Sequence, residues 1–218
     1  MERNWTKTEE KVFDRQGALD MNDVAKTIFA PLYPVVAQNA VSVTGISRGV
    51  CIDLGSGPGM LAMAVARVAP EMDVVSFDFS GDAREIAAQN IRESDLADRI
   101  RVAEGDVHAM PFNDDYADLI VSRGSMFFWD DLKGAFSEIF RVLAPGGATY
   151  VGGGFGSLEI QEKVVAEMLK RDPTWDCYAR RKAAIENVRQ FEDMFAEMGV
   201  PSHCIIDDET GFWIVMRK

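Results

Sequence analysis

One stretch constrains this chain more than any other: Val50-Cys51-Ile52-Asp53-Leu54-Gly55-Ser56-Gly57-Pro58-Gly59. Val50 to Leu54 is a short apolar run, the pattern of a strand buried on both faces. Glycine then recurs at alternate positions, and Met60 to Ala69 follows with Leu61, Val65 and Val68 at helical spacing. Strand, glycine turn and helix in that order open a ligand crevice at the carboxyl end of the first strand of an open α/β sheet. Glycine supplies the positive φ of the turn and removes the Cβ that would hold a ligand away. Pro58 stiffens the turn and suits a helix start.

Two ligand chemistries compete for such a turn, and a tight turn with no ligand uses the same glycines. A dinucleotide site reads G-x-G-x-x-G/A, with a pyrophosphate over the helix N-terminus. Here the sixth position of that pattern is Met60, and Asp53 stands two residues before the first glycine. An acid there repels a pyrophosphate and suits a cationic ligand. The run Asp53-Leu54-Gly55-Ser56-Gly57-Pro58-Gly59 resembles the first motif of the class I, Rossmann-like methyltransferases that use S-adenosylmethionine.

The following strands extend the resemblance. Asp73 to Phe77 reads as a second strand ending at Asp78, whose carboxylate offers two acceptor oxygens to a ribose diol. Dehydrogenases use the same chemistry, so Asp78 indicates an adenosine ligand without choosing between the two cofactors. Phe79 is placed to lie against the adenine face. Ser80 or Asp82 caps the helix that runs to Ser94. Ile100 to Ala103 reads as a third strand, followed by Glu104-Gly105-Asp106-Val107-His108. The resemblance implies that Asp106 accepts a hydrogen bond from the adenine amino group and that the Val107 backbone meets the ring.

Ala117 to Ser122 reads as the fourth strand, whose exit the resemblance places beneath the transferred methyl group, at Ser122 and Arg123. The next residues include Phe127-Phe128-Trp129. Neighbouring side chains diverge, so these aromatics cannot all enter one core, and at least one is expected to face the pocket, where an aromatic face attracts a sulfonium cation. The segment lacks the Asn-Pro-Pro-Tyr type of sequence carried by enzymes that methylate exocyclic amino nitrogens. Asp131 to Leu143 is an amphipathic helix, and Arg141-Val142-Leu143-Ala144-Pro145-Gly146-Gly147 matches the family's turn into a fifth strand, Ala148 to Val151. Gly152 to Gly156 is read as a loop, because so many glycines cost backbone entropy. After helices starting near Ile160 and Ile185, Ser202 to Ile206 and Phe212 to Met216 flank a turn and read as a terminal antiparallel hairpin.

Before the first strand, a helical period runs from Met21 to Leu32, with Pro31 and Pro34 expected to interrupt or kink it. A second apolar set, Val35 to Val43, is closed by Gly45. Residues 1 to 17 are polar apart from points such as Trp5, Val12 and Phe13; alone they should be mobile, and they can fold over a site as a lid. The expectation is therefore an α/β fold: a doubly wound, mostly parallel seven-stranded sheet with a terminal antiparallel hairpin and an N-terminal helical cover. Residues 1–45 form the lid and cover helices, and 46–218 the S-adenosylmethionine-binding domain.

Charge and cysteine usage exclude several partners. A net charge of −12 repels nucleic acid and anionic membranes unless a basic patch overrides it, and the densest cluster is Arg180-Arg181-Lys182. That cluster reads either as a solvated helix start or as a small positive patch beside the site. No apolar run is long enough to span a membrane, and the first residues lack a signal peptide's apolar centre. Cys51, Cys177 and Cys204 are far apart and form no C-x-x-C pair, which argues against a disulfide framework or a zinc site and for the cytosol.

The expected activity is methyl transfer from S-adenosylmethionine to a small-molecule acceptor, without metal. The resemblance assigns the cofactor to Asp53, Gly55, Ser56, Gly57, Gly59, Asp78, Phe79, Asp106, Val107, Ser122 and Arg123. No residue is assigned as catalytic; His108, Asp130 and Tyr178 are candidates if the acceptor must lose a proton. The alternatives are an NAD(P)-linked oxidoreductase and a non-catalytic domain that binds S-adenosylmethionine. The acceptor and the oligomeric state are not legible.

Overall fold

A computed structural model describes residues 14–176 and 188–218. Helices α1 (Arg15–Thr27) and α2 (Leu32–Thr44) precede β1 (Arg48–Leu54), α3 (Met60–Val68), β2 (Glu71–Asp78), α4 (Gly81–Arg92) and β3 (Ile100–Glu104). Then come β4 (Ala117–Arg123), a 3-10 turn (Met126–Phe128), α5 (Leu132–Val142), β5 (Leu143–Gly154) and α6 (Leu158–Arg171). Helix α7 (Val188–Met198) leads into β6 (Ser202–Asp208) and β7 (Gly211–Arg217). Residues 1–13 and 177–187, which include Trp5, Val12, Phe13, Cys177, Tyr178 and the Arg180-Arg181-Lys182 cluster, lie outside the described residues.

The seven strands form one sheet in the order β3-β2-β1-β4-β5-β7-β6. All neighbours are parallel except β7, which runs antiparallel to both β5 and β6. The mostly parallel sheet and terminal hairpin therefore stand as expected. The chain moves outward from β1 through β2 to β3 and then returns to β4 on β1's other side. Ligands of open α/β sheets sit at the carboxyl ends of the strands flanking that reversal.

Alternation within each central strand divides the core. Cys51, Leu119, Val121 and Tyr150 face one layer, packed against α1, α2, α3 and α6. Ile52, Leu54, Ile120 and Val151 face the other, against Phe136 of α5 and Phe191 and Phe195 of α7. Burial on both faces is why these strands read as continuous apolar runs.

Three local expectations need correction. Helix α1 starts at Arg15, well before the apolar period, because the Asp14 carboxylate caps it, accepting from the Gly17 N–H at 2.7 Å. The period from Met21 to Leu32 is interrupted between Thr27 and Leu32, as expected, but Pro31 and Pro34 kink no helix: Pro31 stands at the N-cap of α2 and Pro34 lies in its first turn, where backbone N–H groups have no intrahelical acceptor. Gly152, Gly153 and Gly154 are strand, pairing with Trp213, Phe212 and Gly211. A Cβ on Gly152 would lie 2.0 Å from the Phe212 carbonyl oxygen, and one on Gly153 2.7 Å from the Phe127 ring. Glycine is needed there for close approach, not for turning.

Of the two candidate caps on α4, Ser80 does the capping: its Oγ accepts from the Ala83 N–H at 3.3 Å, while Asp82 pairs with Arg15 at 2.9 Å. Ser80→Ala is expected to cost about 1 kcal/mol in urea denaturation. No loss of stability would show that the hydroxyl adds nothing to the helix start.

Candidate active site

A cavity of about 800 Å³ opens at the carboxyl ends of β1, β2 and β4. Its floor is the glycine turn, its far wall the tips of β2 and β3, and its near wall the end of β5; Ala18 and Met21 of α1, Phe29 and Tyr33 close over it. Asp53, Gly55, Ser56, Gly57, Asp78, Phe79, Asp106, Val107 and Arg123 all line it. Gly59 and Ser122, also assigned from the sequence, do not. Gly59 starts α3 with φ 81° and packs against Ala87 of α4. Ser122 is buried, donating from Oγ to the Leu54 carbonyl at 2.7 Å.

The glycine turn is held from below. Gly55 and Ser56 donate their N–H groups to the Phe77 carbonyl at 2.8 and 3.1 Å, tying the turn to the end of β2. Gly55, Gly57 and Gly59 all have positive φ, and a Cβ on Gly57 would meet nothing within 4 Å. The turn thus presents bare backbone to the cavity. The Ser56 hydroxyl is engaged with Ser76 Oγ at 2.7 Å.

The acids differ in how they are held. Asp53 is 1 % exposed, and its carboxylate accepts from the Ala62 N–H at 3.0 Å. Among the described residues no cation pairs with it; burial, aided by the Asp78 charge, pushes its carboxyl well above the usual range. Asp78 accepts from Ser80 N through Oδ1 and from Gly57 N through Oδ2, both at 2.8 Å. Burial raises its pKa against those bonds and the nearby Arg84 guanidinium. The folded state therefore binds these protons more tightly than the unfolded chain, so the two carboxylates cost stability as pH rises through the raised pKa values. A bound cation offsets that cost.

Asp106 is tied to His108. Its Oδ1 accepts from the His108 backbone N–H at 2.9 Å and faces Nδ1 at 2.6 Å; the backbone bond and the imidazole hold its carboxyl below the usual range. The other ring nitrogen faces the Asp131 carbonyl at 3.1 Å, an atom that can only accept. Both nitrogens of His108 thus face oxygen atoms of the protein. Asp130 lines the cavity and is exposed. All three consecutive aromatics reach the cavity lining, and Trp129 also packs against Phe136.

The sequence reading missed two features. Arg84 donates to the Asp78 and Phe79 carbonyls at 3.2 and 2.8 Å and pairs with Glu104 at 2.8 Å, locking the tips of β2 and β3 together. Its place one turn into α4 was the only signal. Phe29, Tyr33 and Phe155 surround the Arg123 side chain, a grouping from separate elements that no local pattern announces.

Strand order, crevice and acids define the class I methyltransferase fold. Residues 52–151 match the family model of a methyltransferase domain. A crystal structure of a candidate S-adenosyl-L-methionine-dependent methyltransferase from Methanococcus maripaludis superposes with a TM-score of 0.90 at 45% identity, over 100% of this chain and 97% of that one. The chain belongs to the S-adenosylmethionine-dependent methyltransferases. A demethylmenaquinone methyltransferase of Thermus thermophilus is 34% identical over 100 residues, 46% of this chain and 44% of that protein. A chloroplastic 2-methyl-6-phytyl-1,4-hydroquinone methyltransferase of Arabidopsis thaliana is 30% identical over 96 residues, 44% of this chain and 27% of that one. The chain thus spans less than half the length of these curated relatives. A methyltransferase of Aquifex aeolicus shares the fold alone, with a TM-score of 0.64 at 13% identity over 94% of this chain and 97% of that one.

The cavity's residues fit the family's cofactor. A buried acid with no cation beside it among the described residues, a carboxylate held by backbone N–H groups at the end of β2, and a Cβ-free turn suit a cationic adenosyl ligand. A pyrophosphate would have to sit beside Asp53 and Asp78, which disfavours a dinucleotide. Among the described residues, no helix is long and apolar enough to cross a membrane.

Proposed function

We propose that this enzyme methylates a small molecule, and that the residues around the glycine turn hold S-adenosylmethionine. The observation that carries the reading is the cavity of about 800 Å³, lined by Phe29 and Tyr33 and by the buried Asp53, with which no cation pairs among the described residues. A nucleic-acid acceptor calls for basic surface that a net charge of −12 does not favour.

When bound, S-adenosylmethionine supplies an electrophilic methyl carbon on a sulfonium sulfur. The Asp78 carboxylate holds the ribose hydroxyls; Phe79 and Val107 flank the adenine, and Asp106, steadied by His108, accepts from its amino group. Asp53 balances the cationic methionine end, and bare backbone from Gly55 to Gly57 lets that end approach. The protein's contribution is to align acceptor and methyl carbon where water is excluded. His108 steadies Asp106 through its backbone N–H and ring.

S-adenosylhomocysteine at about a hundred times its dissociation constant should stabilise the protein by about 2.7 kcal/mol. For a chain of this size that is a rise in Tm of roughly 5–11 °C, whereas NAD and NADP should give none. The acceptor class is tested with methyl-labelled S-adenosylmethionine and a fractionated cell extract. Label is expected in the small-molecule fraction; label confined to protein or nucleic acid would overturn the reading.

A further inference from the structure

We propose that Arg123 anchors a carboxylate on the methyl acceptor, and that the acceptor's flat body lies along the aromatic wall around that guanidinium. The inference rests on the reading above that the glycine-turn side of the cavity holds S-adenosylmethionine.

Arg123 ends β4 and lines the cavity. Its guanidinium carbon lies 4.8 Å from the Phe29 ring centroid, 5.7 Å from that of Phe155 and 5.9 Å from that of Tyr33. Its Nε donates to the Gly154 carbonyl at 2.9 Å. Among the described residues no carboxylate pairs with it, and its other N–H groups find no acceptor. Other arginines of this acidic chain find acids: Arg141 pairs with Glu138 and Asp114, Arg84 with Glu104, and Arg15 with Asp82 and Glu85. Desolvation pulls the Arg123 pKa below its ordinary value, which means the cation itself is held at a cost. Arginine nevertheless stays charged near neutrality. A desolvated cation with unused donors facing a cavity calls for a ligand anion, and the planar fork matches a carboxylate.

Its position favours the acceptor as the source of that anion. Asp78, Phe79 and Asp106 lie at the tips of β2 and β3, on one side of β1. Arg123 lies on the other side, on β4, and its walls come from Phe29 and Tyr33 around the start of α2 and from Phe155 just past β5. A ligand with its nucleoside over β2 and β3 leaves the β5 side for a second molecule. An arginine bonded to the attacking atom would withdraw its electrons, so the anchored carboxylate is separate from the atom that takes the methyl group, and the product keeps its negative charge.

The cofactor's amino-acid end also carries a carboxylate, and the test separates the two sources. The full-length chain is titrated with S-adenosylhomocysteine, with 5′-methylthioadenosine, which lacks that carboxylate, and, once saturated with S-adenosylhomocysteine, with benzoate or benzamide. Benzoate is expected to bind at least about tenfold more tightly than its neutral isostere benzamide, a difference of about 1.4 kcal/mol. Arg123→Met, which keeps the side chain's bulk in its aromatic surroundings, should abolish that preference, and Arg123→Lys should keep part of it. S-adenosylhomocysteine affinity should stay within about threefold in both variants, which also shows that they fold. Equal or absent binding of benzoate and benzamide to the wild type overturns the proposal. So does an Arg123→Met variant that loses S-adenosylhomocysteine but keeps 5′-methylthioadenosine, because the guanidinium then serves the cofactor's own carboxylate. Failure of the wild type to bind S-adenosylhomocysteine would instead overturn the cofactor reading on which the inference stands.

Discussion

Asp78→Ala is expected to weaken S-adenosylhomocysteine binding by roughly ten- to a hundredfold, the equivalent of losing one hydrogen bond to a charged group worth about 1.5–3 kcal/mol. The carboxylate sits at the end of β2 with each oxygen taking one backbone N–H, from Ser80 and from Gly57, both at 2.8 Å. Each oxygen has a further lone pair for a ligand hydroxyl. The Gly57 bond gives the substitution a second route of damage, because the same carboxylate steadies the glycine turn that the ligand must approach. Asp78→Asn keeps one acceptor oxygen and should fall between wild type and alanine.

The ribose does not change charge as a methyl group moves, so contacts to it should hold ground state and transition state about equally. With an acceptor in hand, the loss should appear in the cofactor's KM and leave kcat nearly unchanged. Calorimetry with S-adenosylhomocysteine needs no acceptor and measures the affinity directly. Wild-type affinity in a folded Asp78→Ala protein would remove Asp78 from the cofactor site.

The first half of the fold was legible because its signals are local. An apolar strand, a glycine turn and an amphipathic helix each announce themselves within ten residues or so, and Asp78 could be placed because it follows such a strand directly. The Gly152–Gly154 run was misread for the opposite reason. Its glycines disfavour a strand by composition, yet they are required by the Phe212 carbonyl and the Phe127 ring, which approach from parts of the chain that no local pattern connects. The choice between Ser80 and Asp82 as the cap turned on where the helix begins: Ser80 has extended backbone dihedrals at the N-cap, and Asp82 already lies in the first turn.

The site divides in the same way. The acids at strand ends were visible in the sequence as chemistry in a position. What holds them was not: His108 reaches both Asp106 and the Asp131 carbonyl, and Arg84 ties the Asp78 carbonyl to Glu104. Arg123 was named from its place at the end of β4, but its aromatic surroundings come from α2, the residues before it and the exit of β5. Side-chain environment of that kind is a tertiary property, and it bears on the acceptor, the part of the function that the motifs leave open.

Gly152→Ala should destabilise the protein by about 3 kcal/mol, at the upper end for overpacking, lowering Tm by roughly 6–12 °C for a chain of this size. The added Cβ would lie 2.0 Å from the Phe212 carbonyl oxygen and 3.0 Å from Trp213 Cα. Both are backbone atoms of the paired strand, so no rotamer change relieves the clash; β5 and β7 must separate. That pairing covers Val151 with Ile214, Gly152 with Trp213 and Gly153 with Phe212, beside residues buried in both core layers. Separation would also shift the Gly154 carbonyl that fixes the Arg123 Nε. Gly146→Ala is the control. Gly146 has φ 84°, but a Cβ there would meet nothing within 4 Å. Its penalty should be the backbone strain alone, about 1–2 kcal/mol. Urea unfolding of the two variants separates the causes: a Gly152→Ala penalty no larger than that of Gly146→Ala would show that β5 and β7 do not approach as closely as this register requires, and the close-approach account of the three glycines would fall with it.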